Sequence, residues 1–120
     1  MEKDLKRFDV ILVDFGVETI GSEQGGIRPA VIVQNDNGNI HSSTTIVMPL
    51  TKIIKNLYLP THSLLKKDEC NGLRVDSMLL GECLRQVSEK RILKYLGYLD
   101  DIKDKKEVKR VYDASFGDEV

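Results

Sequence analysis

Short runs of apolar, β-branched residues limit what this chain can fold into more than any other feature of its sequence. Six such runs are present, over residues 8–15, 29–34, 44–50, 57–65, 73–80 and 82–87. The first is FDVILVDF and the third is TTIVMPL. Both are too short and too rich in Val, Ile and Thr for a stable helix, and both properties favour a β-strand. The runs therefore predict six strands.

The segments between the first strands are rich in residues that form turns. Residues 16–27 contain four glycines and predict a long exposed loop. Residues 35–39, with the sequence NDNGN, predict a turn, because Asn, Asp and Gly accept left-handed backbone angles.

The pattern becomes helical at Ser88. Serine is a good N-cap, and Ile92, Leu93 and Leu96 follow at helical spacing, so a short helix is predicted up to Gly97. A second helix is predicted to begin at residue 100 or 101 and to end at Gly117. One side of this helix is apolar and carries Ile102, Val108, Val111, Tyr112 and Phe116.

Strands that come first and helices that come last, without βαβ alternation, predict a mainly β fold. We expect a small antiparallel barrel, or a strongly bent sheet, with C-terminal helices packed at its ends. A single domain is expected over residues 1–120, because a chain of this length builds one modest core. Small domains bury a smaller share of their surface than large ones, which favours pairing into a homodimer.

The charges of the chain nearly balance, with 18 Lys and Arg against 19 Asp and Glu. This balance excludes the globally basic surface of a duplex-coating protein, so a nucleic-acid site must be a local patch. The N-terminal residues MEKDLKR lack the apolar run of a signal peptide, and no segment approaches the roughly 20 apolar residues of a membrane span. We expect a cytoplasmic protein with no membrane partner.

The residues that bind metals are too few or too scattered to predict a metal site. Cys70 and Cys83 form no Cys-x-x-Cys pair and have no nearby histidine, which predicts two reduced thiols. Asp9 and Asp14 lie five positions apart in the first strand and therefore point to opposite faces, which argues against a two-metal nuclease site. No cofactor is expected.

The loop GSEQGGIRP, residues 21–29, carries the strongest indication of chemistry. Its glycines permit close backbone approach, and it ends in a cation, Arg28, at the start of a strand, which suits a phosphate. It is neither a P-loop nor a dinucleotide-binding turn, because the glycine spacing differs from both. Such loops are more often connectors than ligand sites, and both interpretations stay open.

The two histidines, His41 and His62, are the other candidates for proton transfer. They are far apart in sequence, and each lies in a segment predicted to be a turn or a strand surface. An acid and base pair is conceivable, but surface histidines with ordinary partners are the favoured interpretation.

Together these segments resemble the MazF/PemK family of toxin endoribonucleases, and the run GSEQGGIRP is quite specific to that family. The similarity extends over about residues 8–116 and rests on eight segments: Asp9-Val10, GSEQGGIRP, Val31–Asp36, Thr45–Val47, Leu50-Thr51, Leu59–His62, Asp76-Ser77 and Glu82–Arg85.

The resemblance implies an SH3-like antiparallel barrel of the CcdB/MazF type, a homodimer, and cleavage of single-stranded RNA. It also implies a cognate, MazE-like antitoxin. In that family the arginine matching Arg28 and the threonine matching Thr51 are catalytic. By the same matching, four residues lie where family members contact RNA: Glu23, Gln24, Asn35 and Ser77.

Two positions depart from the family pattern. Phe8 stands where a glycine usually precedes the Asp-Val pair. Cys83 stands where some relatives have a glutamine able to contact a base, so the RNA sequence that this chain recognises is expected to differ from theirs.

The mechanism implied by the resemblance needs no metal ion, because the 2′-hydroxyl of RNA attacks the adjacent phosphate. Arg28 would stabilise the developing charge electrostatically, since a guanidinium with a pKa above about 12 is a poor base, and Thr51 would donate a hydroxyl. His62 is the runner-up proton carrier. Two other classes stay open: a CcdB-like gyrase-binding toxin without catalysis, and an inert interaction module.

Overall fold

Seven strands and two helices form the part of the chain, residues 4–21 and 23–119, that the computed structural model describes. In chain order they are β1 Asp9–Asp14, β2 Ile27–Ile32, α1 Asp36–His41, β3 Thr44–Thr51, β4 His62–Leu65, β5 Ser77–Leu80, β6 Arg85–Ser88, β7 Ile92–Tyr98 and α2 Ile102–Phe116. Short 3₁₀ turns at Gly81–Cys83 and Glu89–Arg91 flank β6.

All strand pairs of this sheet are antiparallel, in the order β4-β5-β3-β2-β1-β7. The long strand β3 has two partners besides β2, because its first half pairs with β6 and its last two residues pair with β5. The predicted mainly β architecture is confirmed, with one long helix, α2, at the C-terminal end.

Both faces of the central strands are buried, which explains why their sequences are continuous apolar runs. In β1, Val10 belongs to one hydrophobic cluster and Ile11 to a second one on the opposite face. Val108 and Val111 of α2 pack into the first cluster. The C-terminal helix thus covers one face of the sheet.

The prediction of a helix after Ser88 is wrong, because this segment is mostly strand. Ser88 does act as a cap, but its hydroxyl accepts only from the backbone N–H of Lys90 and caps a single 3₁₀ turn. From Ile92 the chain pairs with β1 along its whole length. Hydrogen bonds to an otherwise open sheet edge outweigh a local capping signal, since an isolated short helix is marginal in water.

Three smaller predictions need correction. Residues 35–39 are not a plain turn, because Asn35 accepts from the N–H of Gly38 and caps helix α1. The fourth and fifth strands are shorter than predicted and begin only at His62 and at Ser77. The second strand begins at Ile27, so Pro29 is its third residue and not its first.

Helix α2 begins and ends as predicted. Asp101 caps it by accepting from the N–H of Lys103 at 2.8 Å, and Gly117, at φ +79°, ends it. Its apolar side is buried only in the middle, because Ile102, Tyr112 and Phe116 are exposed. In the described part of the chain, no helix has the length and apolar character that crossing a membrane requires.

Removing the cap of α2 tests how much this helix contributes to the fold. Asp101→Ala is expected to lower the free energy of unfolding by about 1 kcal/mol, because the N–H of Lys103 loses its acceptor. This corresponds to a fall of roughly 3–6 °C in the thermal midpoint measured by circular dichroism. Asp100→Ala removes the same charge one residue earlier and is the control; an equal loss in both variants would contradict the capping role.

Candidate functional site

The most informative feature of the sheet is the place where β2 and β3 separate. The two strands pair from Ile32–Val47 to Ala30–Pro49 and no further. Continuing this register by two residues would place Arg28 opposite Thr51. The ladder ends first, and the last two residues of β3 pair only with β5. Arg28 and Thr51 therefore stand on the two sides of a gap in the sheet.

Proline explains why the ladder ends at this point. Pro29 has no amide N–H with which to extend the pairing toward β3, and proline is tolerated inside a sheet only where a strand has a free edge. On its other side β2 stays paired with β1, down to Asp14 and Ile27. Arg28 is thus held on a rigid strand at the border of an opening.

The gap opens into a cavity of about 600 Å³, which we call the Arg28 pocket. Arg28 and Pro29 of β2, Thr51 of β3 and Ser77 of β5 line it. Ser77 is buried and donates its hydroxyl to the carbonyl of Val75 at 3.1 Å. Three of the six residues that sequence analysis singled out are brought together here; their roles stay predictions.

Arg28 and Thr51 each keep hydrogen-bonding capacity for a ligand. Arg28 donates from Nε to the carbonyl of Gly25 at 3.1 Å, and no salt bridge among the described residues involves its guanidinium. Thr51 Oγ1 accepts from the N–H of Ile53 at 3.2 Å, which leaves its own O–H as a donor. A Cβ at Gly25 would lie 2.6 Å from the side chain of Thr19 and 3.1 Å from the carbonyl oxygen of Gly16, so a larger residue requires the loop to shift.

Three further cations, Lys52, Arg74 and Lys94, line the Arg28 pocket, and sequence analysis missed them. They come from three distant segments, so no spacing in the sequence indicates that they meet. No carboxylate is found among the described residues that line this pocket. The result is a concentrated positive charge in a chain whose net charge is −1. A nucleic-acid site in a chain with balanced charges is predicted to be a local patch of this kind.

Glu23 and Gln24 lie in a neighbouring cavity of about 500 Å³, which also contains Cys83 and which we call the Cys83 pocket. The Glu23 carboxylate accepts from the N–H of Ile20 at 2.7 Å. The pKa of the Cys83 thiol is raised, mainly by burial and to a smaller extent by the nearby Glu82 carboxylate. A hydrogen bond with Gln24 and the positive charge of Arg28 lower it in part. Arg28, which lines the Arg28 pocket, is thus near enough to affect the thiol in the Cys83 pocket.

Asn35 lies in neither pocket. Its side chain caps α1, and it lines a different cavity, together with Phe8 and Tyr112. The RNA-contacting role that the resemblance implies for Asn35 stays a prediction; within one copy of the chain, the structure does not bring this residue to Arg28.

His62 is not the surface histidine that was predicted. Its side chain is 7% exposed; Nε2 lies 2.7 Å from Glu82 Oε2 and Nδ1 lies 3.0 Å from the carbonyl oxygen of Asn56. It does not line the Arg28 pocket. His41, by contrast, is exposed at the end of α1.

The thiols and the acidic residues form no metal site in the described part of the chain. Cys70 and Cys83 are both free. Among the residues described, no three His, Cys, Asp or Glu side chains lie close enough together to hold a metal ion.

Comparison with known proteins assigns the chain to a family. The family model for PemK-like, MazF-like toxins of type II toxin–antitoxin systems matches residues 6–113. The chain belongs to this family. It is 43% identical to the endoribonuclease MazF of Staphylococcus saprophyticus over 113 residues, which covers 94% of this chain and 92% of that protein.

Solved structures of the family share the fold at much lower identity. A mycobacterial endoribonuclease, solved in complex with its cognate antitoxin, superposes with a TM-score of 0.76 at 17% identity and covers 97% of this chain and 98% of that one. MazF from Deinococcus radiodurans superposes with a TM-score of 0.74 at 19% identity, with 95% and 94% covered. The fold class predicted from the sequence, a CcdB/MazF-like barrel, is confirmed.

Proposed function

We propose that this protein is a sequence-specific, metal-independent endoribonuclease toxin that cleaves single-stranded RNA and is neutralised by a cognate antitoxin. Membership in the PemK/MazF-like toxin family and 43% identity to an endoribonuclease support this function. The single observation that carries it is that Arg28 and Thr51 line one pocket together with further cations.

The proposed reaction uses the RNA's own nucleophile. The 2′-oxygen forms a bond to the adjacent phosphorus and loses its proton, the bond from phosphorus to the 5′-oxygen breaks, and that oxygen gains a proton. The products are a 2′,3′-cyclic phosphate and a 5′-hydroxyl. The Arg28 guanidinium would donate to the non-bridging oxygens as negative charge develops on them, and the Thr51 hydroxyl would provide a further donor.

We assign recognition of a base to the Cys83 pocket, because it lies beside Arg28 and carries amide, carboxylate and thiol groups suited to a base edge. Glu23, Gln24 and Ser77 are the proposed RNA contacts, and Asn35 would contribute from a more distant surface. The whole chain, residues 1–120, is proposed to act as one toxin domain in the cytoplasm.

A CcdB-like gyrase-binding toxin is the alternative on the same fold, and neither the family match nor the endoribonuclease relative favours it. An inert interaction module is the third interpretation. Mapping the ends of cleaved fragments on a long RNA, beside a gyrase cleavage assay, separates all three.

Substitutions at Arg28 and Thr51 test the proposed chemistry. Arg28→Lys keeps the charge but loses the planar fork that two phosphate oxygens can engage, so it is expected to lose activity heavily. Arg28→Ala and Thr51→Ala should reduce the cleavage rate by a factor on the order of 10² to 10³ or more. RNA binding should fall far less, and the thermal midpoint should stay nearly unchanged. Near-wild-type cleavage by Arg28→Ala would contradict the proposal.

Metal independence is tested with a chelator. Cleavage in excess EDTA is expected to proceed at the rate seen in Mg²⁺, because the nucleophile belongs to the RNA and Arg28 provides the positive charge. Mass spectrometry of the fragments should show a 2′,3′-cyclic phosphate and a 5′-hydroxyl. A strict requirement for added Mg²⁺, or 5′-phosphate ends, would refute this mechanism.

Lys94 tests whether the additional cations contact the phosphate backbone. Lys94→Ala is expected to weaken the binding of a non-cleavable RNA and to reduce the slope of log Kd against log salt by about 0.7, the value for one phosphate contact on a single strand. Lys106→Ala removes an exposed lysine of α2 that lines none of the pockets described and is the matched control. An equal slope change in both variants would exclude a specific contact.

A homodimer is proposed because large apolar side chains stay exposed on the loops that flank the Arg28 pocket. Val17 and Ile20 are 94% and 83% exposed on the β1–β2 loop, and Tyr58 is 82% exposed on the β3–β4 loop. Burying such side chains is favourable. Light scattering at micromolar concentration is expected to give twice the 13.6 kDa chain mass; a fully active monomer would contradict this proposal.

The antitoxin is expected to bind through a flexible acidic segment, because the Arg28 pocket is cationic.

A further inference from the structure

His62 is a buried ionisable side chain that the proposed mechanism leaves unused, and it contacts Glu82 of the Cys83 pocket. Its two ring nitrogens face two acceptors: the backbone oxygen of Asn56 at 3.0 Å and the carboxylate of Glu82 at 2.7 Å. With both nitrogens engaged in this way, the ring has no free position from which to exchange a proton with a substrate.

The Asn56 side of this contact holds the β3–β4 loop, residues 52–61. Asn56 adopts φ +54°, and its carbonyl accepts both from the N–H of Leu59 at 3.1 Å and from His62. Arg110 of α2 donates to the carbonyls of Pro60 and His62 and fixes the end of the same loop. This loop starts directly after Thr51, and its first residues line the Arg28 pocket.

The Glu82 side holds the 3₁₀ turn Gly81–Cys83, which forms a wall of the Cys83 pocket. Glu82 is 46% exposed, and within the described residues His62 is its only salt-bridge partner. Gly81 is held from the same direction, because its N–H donates to the carbonyl of Thr61 at 2.8 Å. The position of Cys83 thus depends on the residue that also holds the loop beside Thr51.

We infer that His62 is a positioning residue that links the two pockets: one nitrogen holds the loop that starts beside Thr51, and the other holds the turn that carries Cys83. It thereby fixes the distance between the phosphate that is cleaved and the base that is recognised. This inference rests on the proposed function and deepens it, because it makes the Glu82 contact a determinant of RNA specificity and assigns His62 no proton transfer.

Two amide substitutions separate the contacts of His62. The amide nitrogen of Asn occupies about the place of Nδ1, and that of Gln about the place of Nε2. His62→Asn therefore keeps the donor to Asn56 and loses the one to Glu82, whereas His62→Gln does the reverse. Neither amide transfers protons near neutral pH. Glu82→Ala removes the contact between His62 and Glu82 by changing the more exposed partner, so the test does not depend on whether the buried His62 variants fold. His41→Asn, at the exposed histidine, is the control.

The measurement is the ratio of kcat/KM for the mapped RNA motif to that for the same RNA with one base changed. His62→Asn and Glu82→Ala are expected to lower this ratio by the same factor, about tenfold, and not to add when combined. His62→Gln is expected to lower it less than either. Equal losses of kcat in both His62 variants, with the ratio unchanged, would overturn the inference in favour of proton transfer.

The alkylation rate of Cys83, measured relative to Cys70 by mass spectrometry, tests the same link without any RNA. Because the Glu82 carboxylate raises the pKa of the Cys83 thiol, Glu82→Ala should lower that pKa and speed its alkylation at pH 7.5. His62→Asn should also change the ratio, and His62→Gln should leave it closer to the original value. Failure of the unaltered protein to cut any RNA would refute the proposed function alone, whereas an unchanged Cys83 ratio in His62→Asn would refute the link.

Discussion

The register between β2 and β3, interrupted by a proline, is the constraint on which the rest of this molecule depends. It ends two residues before Arg28 and Thr51, which line the same pocket without pairing. Both residues therefore stand on rigid strands yet face an opening instead of a hydrogen-bonded ladder. A site that must hold a phosphate in a defined geometry gains from such an arrangement, because preorganised donors need no rearrangement as charge develops.

Strand β3, after its pairing with β2 ends, also helps to form the rest of the Arg28 pocket. Beyond Pro49, β3 pairs with β5, which brings Ser77 beside Thr51. Three cations then add positive charge: Lys52 from the β3–β4 loop, Arg74 from the segment before β5, and Lys94 from β7 itself. A chain with net charge −1 can in this way present a strongly cationic site, because only the distribution of charge matters to a bound phosphate.

Much of this could be predicted from the sequence, and the exceptions have physical causes. The apolar runs identify the central strands because both their faces are buried, and Asp101 and Gly117 mark the ends of α2 because their capping is local. The segment after Ser88 was predicted as a helix, since pairing with β1 is a long-range effect that no local pattern records. Arg28 stands out in the sequence because it ends a glycine-rich loop, whereas Thr51 is identified only through the family resemblance. Neither the place of Lys94 in the pocket nor the burial of His62 could be predicted, since both depend on contacts between distant segments.

We propose that the Arg28 pocket promotes attack by the 2′-hydroxyl of the RNA itself. The most direct test uses an RNA with a single 2′-deoxynucleotide on the 5′ side of the mapped cleavage site, where the attacking hydroxyl would lie. Binding to the protein should be retained, and cleavage at that bond should be abolished while an unmodified copy of the motif in the same strand is still cut. Continued cleavage at the deoxy-substituted bond would show that another nucleophile acts and would contradict this account.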